Sequence, residues 1–99
     1  MRARHPLRAT FTRTWEQSYV DLSPDRQKSC DKAVVTILSQ EPSSGLRVKP
    51  ILPDKYYREA RMNSGDRIVF RIDVGTAVFV AVVKHDDIEK YGKRPKGRR

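Results

Sequence analysis

The stretch that decides the fold is Tyr56–Ile72, YYREARMNSGDRIVFRI, in which apolar and polar residues alternate on both sides of a turn signal. Alternation with a period of two is typical of strands that are buried on one face. The turn signal is Asn63-Ser64-Gly65, which favours a three-residue hairpin loop with Gly65 in the left-handed conformation. This loop places Arg61 opposite Arg67 on the polar face. Two guanidinium groups in that position repel each other, and an anion bound between them would remove the repulsion.

A second hairpin is predicted directly after the first, with Asp73-Val74-Gly75 as another three-residue loop. We call the polar side of this sheet the arginine face, because it is predicted to carry Arg61, Arg67 and Arg71. One further step along the last strand adds His85, so two arginines and an imidazole are expected to converge there. The same register assigns the strand residues as follows: Val78, Val80 and Val82 to the buried face, and Phe79, Ala81 and Val83 to the arginine face.

Composition limits the fold and the kind of partner. The chain has 99 residues, a formal charge of +9 and a pI near 10.1. Such a charge favours polyanions, namely nucleic acid, a ribosome or an acidic protein segment, over the alternative of a solvated basic surface. The hydrophobic content of 37% allows one core, which predicts a single domain at 1–92 and a basic, flexible tail at 93–99.

Cysteine content and hydropathy narrow the class further. Cys30 is the only cysteine, which excludes an intrachain disulfide and a thiolate metal cluster. No apolar run approaches ~18 residues, and the N-terminus has no hydrophobic signal core. We therefore expect a cytoplasmic protein with no membrane partner.

Two helices are predicted before the hairpins. A short strand at 8–12 precedes the first helix, for which Thr12 or Thr14 is the expected cap. Ser23-Pro24 is typical of a helix start, and this second helix should end near Glu41-Pro42. The apolar residues at helical spacing are Trp15, Tyr19 and Leu22 in the first helix, and Cys30, Ala33, Val34, Ile37 and Leu38 in the second. Because Cys30 lies on this stripe, we expect a buried, unreactive thiol.

The order of elements defines the fold class. The predicted series β-α-α-β-β-β gives an α+β fold in which two N-terminal helices pack on one face of a small antiparallel sheet. The arginine face of the sheet is predicted to remain open.

The arginine face carries residues suited to RNA cleavage. Histidine titrates near neutrality, so His85 can transfer protons. Arg61 and Arg67 can hold a phosphate and stabilise the extra charge of a pentacovalent phosphorus, while Tyr91 can stack on a base. Asp86-Asp87 is too small a carboxylate group to indicate a two-metal site. These residue types suffice for metal-free RNA cleavage by attack of a 2′-hydroxyl, with no cofactor, and a structural or binding role for the histidine is the alternative.

Several segments also form a recognisable series. They are LSPDRQ at 22–27, a helix closing on Gln40-Glu41-Pro42, GLRVKPI from Gly45, the G-x-R-[ILV]-[ILV]-[FY] pattern at Gly65–Phe70, and FVAVVKHDDIEKY from Phe79. In this order, from Phe11 to Tyr91, the chain resembles the RelE/ParE superfamily of toxins of bacterial type II toxin-antitoxin systems.

The resemblance implies a RelE-like fold, entry into the ribosomal A site, cleavage of mRNA and inhibition by a cognate, acidic antitoxin. It implies that Arg67 is the arginine after the hairpin glycine, that His85 donates a proton or contacts the phosphate, and that Tyr91 orients the nucleotide. Arg58 or Arg61 matches the basic residues of the preceding strand. Further phosphate contacts are expected from Arg58, Arg71, Lys49, Arg47 and Lys84.

Two points stay open. Ala60 stands where some members of the superfamily carry a catalytic lysine, so Glu59, Lys49 or His85 is left as the general base. ParE-type members inhibit DNA gyrase without a catalytic set, so a gyrase inhibitor is the second interpretation, and a basic nucleic-acid-binding module without chemistry is the third. An acid-base residue on the arginine face favours the endoribonuclease.

Overall fold

The structure, a computed structural model, describes residues 6–40 and 45–96. The predicted end of the second helix at Glu41-Pro42 and the last residues of the predicted tail lie outside this part. The elements are β1 (Arg8–Phe11), α1 (Arg13–Val20), α2 (Pro24–Ser39), β2 (Lys49–Pro50), β3 (Arg58–Arg61), β4 (Asp66–Asp73), β5 (Thr76–Lys84) and a 3₁₀ segment (His85–Tyr91).

The sheet has the strand order β1-β5-β4-β3-β2, and the predicted α+β class with two helices on one face is confirmed. One part of the prediction is wrong, because β1 runs parallel to β5 and the sheet is therefore mixed. The backbone N–H of Arg8 donates to Gly75 O at 3.0 Å, and that of Thr12 donates to Phe79 O at 3.0 Å. Hydrophobic periodicity carries no information about strand direction, so the sequence pattern could not predict this pairing.

Both helices begin at the predicted caps. The Thr12 hydroxyl accepts a hydrogen bond from Trp15 N at 3.1 Å, and the Ser23 hydroxyl accepts one from Arg26 N at 3.4 Å. Helix α2 ends at Ser39, after which Gln40 adopts the left-handed conformation with φ 57°. Side-chain caps of this kind contribute ~1 kcal/mol each to stability.

The main core lies between the helices and the sheet. Trp15 of α1 and Phe79 of β5 have ring centroids 5.2 Å apart, and Phe70 of β4 lies 6.0 Å from Phe79. Cys30 is fully buried in this core, and burial raises the pKa of its thiol to about 12. The expectation of a buried thiol is therefore confirmed, and its raised pKa disfavours the thiolate, which is the reactive form.

The first hairpin has the predicted register but a different turn. Arg61 pairs with Arg67, as a three-residue loop requires. Gly65 is not left-handed. Instead the Asn63 side-chain oxygen accepts hydrogen bonds from Gly65 N at 2.9 Å and Asp66 N at 2.8 Å. The asparagine side chain thus replaces a backbone acceptor in the turn, which removes the need for a positive φ at the glycine.

The second hairpin corrects the predicted register. Asp73 pairs with Thr76, so the loop is the two-residue Val74-Gly75, with φ 40° and 78°. Positive φ at both central residues is the geometry of a type I′ hairpin. Shortening the loop by one residue exchanges the two faces of β5, and Phe79 is buried on the helix side rather than lying on the arginine face.

A bulge then reverses this exchange. The register shifts between Val69 and Phe70, so that Val82 pairs with Ile68 and Val83 pairs with Arg67. An extra residue in one strand moves all later side chains to the other face. The loop that was predicted one residue too long and the bulge that was not predicted therefore cancel, and beyond the bulge the side chains lie on their predicted faces. Val82 belongs to the helix-side core, as predicted. Val83 pairs with Arg67, so the last residues of β5 before His85 alternate between the two faces of the sheet as predicted.

The arginine face is not bare, contrary to the prediction. Val69 and Ala81 pair across the sheet and are 0% and 1% exposed, although neither belongs to the helix-side core. The 3₁₀ segment contacts both β4 and β5, and Ile51 is also buried outside that core. This small second layer reduces the arginine face to a limited cavity. Within the ranges described, the protein has no helix of the length and apolarity that crossing a bilayer requires.

Candidate active site

A cavity of about 460 Å³ opens beside the 3₁₀ segment. Its lining includes a lysine from β2, a carboxylate from β3 and an imidazole at the end of β5, namely Lys49, Glu59 and His85. The remaining lining residues are Pro50, Ile51, Leu52, Asp86, Ile88 and Glu89. The sheet order places β2 and β3 side by side, and the crossing to the 3₁₀ segment brings His85 to the same cavity. The Glu59 carboxylate supplies a proton acceptor, the His85 imidazole a group that can accept or donate a proton, and the Lys49 ammonium group a cation.

Glu59 is the buried member of this group, at 8% exposure. Its Oε1 lies 3.6 Å from Nε of Arg67, whose side chain is 13% exposed. Glu59 and Arg67 occupy diagonal positions on β3 and β4, since Glu59 pairs with Val69. The ion pair therefore holds the carboxylate in one place at the wall of the cavity.

Arg67 also stabilises the loop before it. Its Nη1 donates hydrogen bonds to the carbonyl oxygens of Asn63, Ser64 and Asp66, at 2.9, 3.3 and 3.1 Å. Its Nη2 has no hydrogen-bond partner among the residues that the structure describes. Most of this guanidinium is thus used for positioning.

His85 is held by its backbone and exposed at its side chain. Its N–H donates to Gly65 O at 2.9 Å, which ties the start of the 3₁₀ segment to the β3–β4 loop. The imidazole side chain is 62% exposed, with Nδ1 3.5 Å from an Asp86 carboxylate oxygen. Glu59 and His85 line the same cavity, and Arg67 contacts Glu59 without lining that cavity itself. The convergence of Arg67 and His85 on one phosphate stays a prediction.

Arg61 and Tyr91 occupy other positions. Arg61 pairs with Arg67 in the ladder, but it borders a separate cavity of about 320 Å³ whose other walls include Lys32 and Thr36 of α2. Tyr91 does not line the cavity at His85, and its ring makes an edge contact with Tyr57 at 5.7 Å. Burial raises the pKa of Tyr57. The predicted set of catalytic residues is therefore spread over more than one place, and the cavity at His85 holds only part of it.

The residues predicted to contact phosphate are also divided. Lys49 lines the cavity, whereas Lys84 lies 3.7 Å from the Asp66 carboxylate, next to α2. Arg71 has its guanidinium carbon 5.5 Å from the ring centroid of Tyr56. Arg58 and Arg47 are exposed, Arg58 on β3 and Arg47 in the loop before β2 with φ 52°.

An ion pair between a half-exposed arginine and a buried aspartate was not predicted. Arg26 at the start of α2 donates to both carboxylate oxygens of Asp66, from Nε at 2.9 Å and from Nη2 at 2.7 Å. Asn63 Nδ2 donates to the same carboxylate at 2.9 Å. These hydrogen bonds, that from Arg26 above all, lower the pKa of Asp66 to about 2. The two residues are 40 positions apart, and the only signal in the sequence is an aspartate where the alternation of the strand requires an inward residue.

In the described parts of the chain, no three His, Cys, Asp or Glu residues form a group that could hold a metal ion. A carboxylate and an imidazole at one cavity can accept and donate protons at two atoms of a bound substrate, and a neighbouring ammonium group can neutralise negative charge.

A cavity of about 650 Å³ lies on the helical side of the molecule. Its walls are mainly apolar, and three of them are well exposed: Phe11 at 43%, Val20 at 68% and Val35 at 65%. Glu16 and Asp31 add negative charge to it. It contains no acid-base pair of the kind at His85, so it has the character of a docking surface rather than an active site.

Comparison by sequence finds no matching family model and no matching curated protein. Comparison of structures finds clear neighbours. A chain of the RelBE2 toxin-antitoxin complex of Mycobacterium tuberculosis matches with a TM-score of 0.66 and 25% identity, over 81% of this chain and 99% of that one.

Two further neighbours are more distant in sequence. YafQ of Escherichia coli matches with a TM-score of 0.67 and 12% identity, over 81% of this chain and 94% of YafQ. A chain of the RelB-RelE antitoxin-toxin complex of Methanococcus jannaschii matches with a TM-score of 0.65 and 18% identity, over 83% and 96% of the two chains. The chain therefore has the fold of RelE-like toxins, and the resemblance inferred from its sequence is confirmed.

Proposed function

We propose that this protein is the toxin of a type II toxin-antitoxin system, an endoribonuclease that cleaves mRNA on the ribosome without a metal ion. The observation that carries the proposal is the arrangement of Glu59 and His85 at one cavity, with Arg67 bound to the carboxylate and Lys49 at the same wall. A pure DNA-gyrase inhibitor has no need of an acid-base pair at this place. The fold shared with RelE-like toxins supports the same class.

Glu59 is the general base in this proposal. It takes the proton from the 2′-hydroxyl of the substrate as O2′ attacks the adjacent phosphorus. Protonated His85 gives a proton to the departing 5′-oxygen as the P–O5′ bond breaks. The products are a 2′,3′-cyclic phosphate and a 5′-hydroxyl end, so atoms and charge balance without a co-reactant.

The choice of Glu59 rests on chemistry and burial. A lysine ammonium has donors and no acceptor, so Lys49 is suited to binding the phosphate rather than to taking a proton. His85 is exposed and therefore able to exchange protons with solvent between turnovers. Glu59 is buried and fixed by Arg67, which keeps its oxygens in one orientation.

Arg67 is a positioning residue here. Its Nη1 and Nε are used by the loop carbonyls and by Glu59, so it acts on the reaction through the orientation of the Glu59 carboxylate. We assign Tyr91 to the nucleotide rather than to the reacting phosphate, since it packs against Tyr57 away from the cavity.

The partner that silences the protein is an antitoxin. Two of the neighbours were solved as toxin-antitoxin complexes, and the +9 charge of this chain favours an acidic partner. The apolar cavity between α1 and α2 is suited to a segment with apolar side chains, and its Glu16 and Asp31 call for a basic residue in that segment. The antitoxin we expect is thus acidic overall, with a short amphipathic stretch for the helices.

The test is expression of the protein with and without its neighbouring gene, followed by mapping of RNA 5′ ends in translating extract. We expect cuts with the parent protein, and none with His85→Ala or Glu59→Gln. Glu89→Gln is the matched control for Glu59→Gln, because it removes the same charge from the same cavity at an exposed position. Uncut transcripts together with DNA breaks in the parent strain would contradict the endoribonuclease and support gyrase inhibition.

A further inference from the structure

Tyr56 brings together two arginines that are far apart in the sequence. The guanidinium carbon of Arg71, on β4, lies 5.5 Å from the centroid of the Tyr56 ring. The guanidinium carbon of Arg94, which follows the 3₁₀ segment, lies 5.1 Å from the same centroid. We call these three residues the Tyr56 cluster. It lies on the arginine face but not at the cavity of His85, whose walls do not include it.

The backbone places Arg94 in this cluster. Its N–H donates to the Asp54 carboxylate at 2.6 Å, and Asp54 N donates to Gly92 O at 2.9 Å. Gly92 is buried, and a Cβ there would collide with the carbonyl oxygen of Leu52. The segment after the 3₁₀ helix is therefore fitted closely against the loop before β3. Within the predicted tail at 93–99, Arg94 is held against the domain.

The charges in the cluster exceed what folding requires. A cation over a tyrosine ring contributes ~0.5–1 kcal/mol at an exposed site, and one arginine is enough for that. Arg71 has a partly compensating carboxylate, Asp73 at 3.6 Å, whose side chain is 59% exposed. The Arg94 guanidinium has no carboxylate within ion-pair distance in the part of the chain that the structure describes, since the Asp54 carboxylate is bound by the Arg94 backbone N–H instead. Two guanidinium groups against one ring repel each other, and a bound anion would relieve that repulsion.

We propose that the Tyr56 cluster is a second phosphate-binding site, which takes the backbone of the single RNA strand whose cleavage occurs at His85. The identity of the ligand as RNA rests on the proposed function. Arg71 and Arg67 are four residues apart on β4, a distance of ~13 Å along a strand, which a single strand spans in a few nucleotides. The site fixes the direction in which the substrate crosses the sheet.

The aromatic neighbours favour RNA over an acidic peptide. Tyr56 contacts Tyr57 with ring centroids 4.9 Å apart, and Tyr57 contacts Tyr91. All three rings are partly exposed. Guanidinium forks for phosphates beside stacking surfaces for bases are the combination that single-strand binding uses. A carboxylate-rich peptide would use the arginines and leave the rings without a partner.

The experiment measures binding of a 2′-O-methyl oligoribonucleotide, which cannot be cleaved by 2′-hydroxyl attack, so the result does not depend on activity. Arg94→Ala is compared with Lys96→Ala, which removes the same charge from the same segment. We expect Arg94→Ala to weaken binding roughly tenfold and to lower the salt slope by about one. Lys96→Ala should weaken binding less than about twofold, and Tyr56→Phe, which keeps the ring, should bind as the parent does.

Folding and kinetics complete the test. The hydrogen bond from Arg94 to Asp54 uses the backbone, so Arg94→Ala should keep the melting temperature of the parent, and Arg94→Lys provides a second variant that keeps the charge. On a cleavable RNA we expect Arg94→Ala to raise KM with little change in kcat.

Equal weakening by Arg94→Ala and Lys96→Ala would overturn the site in favour of unspecific charge. Loss of affinity for the antitoxin with unchanged RNA binding would overturn it in favour of a peptide. If the parent binds the oligonucleotide but cuts no RNA, the proposed chemistry fails while the Tyr56 cluster is still decided by the binding data.

Discussion

Two carboxylate-guanidinium pairs flank the same β3–β4 loop and differ in almost every physical respect. Asp66 receives two short hydrogen bonds from Arg26 and one from Asn63, is 3% exposed, and has a pKa lowered to about 2. Among the described residues, Glu59 has one charged contact, with Arg67 at the longer distance of 3.6 Å, and it lies at the wall of a cavity.

The difference separates a structural pair from a functional one. A carboxylate whose lone pairs are saturated by donors cannot accept a further proton without losing those bonds, so Asp66 is suited to joining α2 to the sheet. A carboxylate that is positioned but not saturated can accept a proton from a ligand. Burial alone does not distinguish the two, because both residues are nearly inaccessible.

The largest expected effect concerns the functional pair. Glu59→Gln should lower the rate of RNA cleavage by about a hundredfold or more, the usual contribution of a general base, with little change in melting temperature. Single-turnover cleavage of an mRNA substrate measures the rate, and Glu89→Gln serves as the control. A Glu59→Gln protein that cuts at the parent rate would remove Glu59 from the mechanism and leave His85 as the remaining candidate base.

The structural pair is expected to give the reverse result. Asp66→Ala leaves Arg26 without its carboxylate and should reduce the free energy of unfolding by about 2 kcal/mol. That is less than the ~3–5 kcal/mol of a fully buried pair, because the Arg26 side chain is 35% exposed and can regain water. Urea denaturation measures the loss. Cleavage by the folded fraction should stay near the parent value, and a large fall in kcat at full folding would contradict the separation of roles.

The pH dependence of stability tests the same pair without a change in RNA. The pKa of Asp66 is lowered in the folded state from 3.8 to about 2. Its contribution is therefore fully present above pH ~4 and is lost as the pH falls from ~4 towards ~2. Thermal melts across this range should show a steeper acid destabilisation for the parent than for Asp66→Asn. Parallel curves for the two proteins would mean that the pair contributes nothing to stability.

The smallest expected effect is a gain in stability at Val74, which helps to separate the structural pair from the functional pair. Val74 has φ 40° and is 93% exposed, a strained conformation for a β-branched residue that asparagine adopts readily. Val74→Asn should raise the free energy of unfolding by ~1 kcal/mol, and Val74→Thr, which keeps the branch, should not. Added to Asp66→Ala, Val74→Asn should restore part of the stability. Added to Glu59→Gln, it should leave cleavage impaired.

The two hairpins show how far the sequence pattern reaches. In the first, the spacing from Arg61 to Arg67 gave the correct register, although Asn63 rather than Gly65 forms the turn. In the second, Val74 was not expected at a positive φ, so the loop was predicted one residue too long. The bulge after Val69 compensates for that error. No local sequence pattern predicts this bulge, because it results from packing against the other strand.

The candidate site was predicted in the same partial way. His85 and Arg67 were expected near each other from the alternation of the strands, and Glu59 was one of three possible bases. Arg61 and Tyr91 were expected to complete the same centre, but they lie at a second cavity and beside Tyr57. The sequence predicts a basic tail that includes Arg94, and the contact of Arg94 with Tyr56 depends on how Gly92 fits against a distant loop.

The sequence by itself determined the two helices and the two hairpins, the helix cap at Ser23, the choice of Thr12 or Thr14 for the other cap, the apolar stripe that contains Cys30 and the excess positive charge. These are local properties, fixed by side-chain periodicity and by hydrogen bonds over a few residues. The tertiary structure alone decided which carboxylate is saturated and which is left at the cavity, and which arginines meet at Tyr56. Those outcomes depend on contacts between residues distant in the chain, whose geometry follows from strand register and packing rather than from any local pattern.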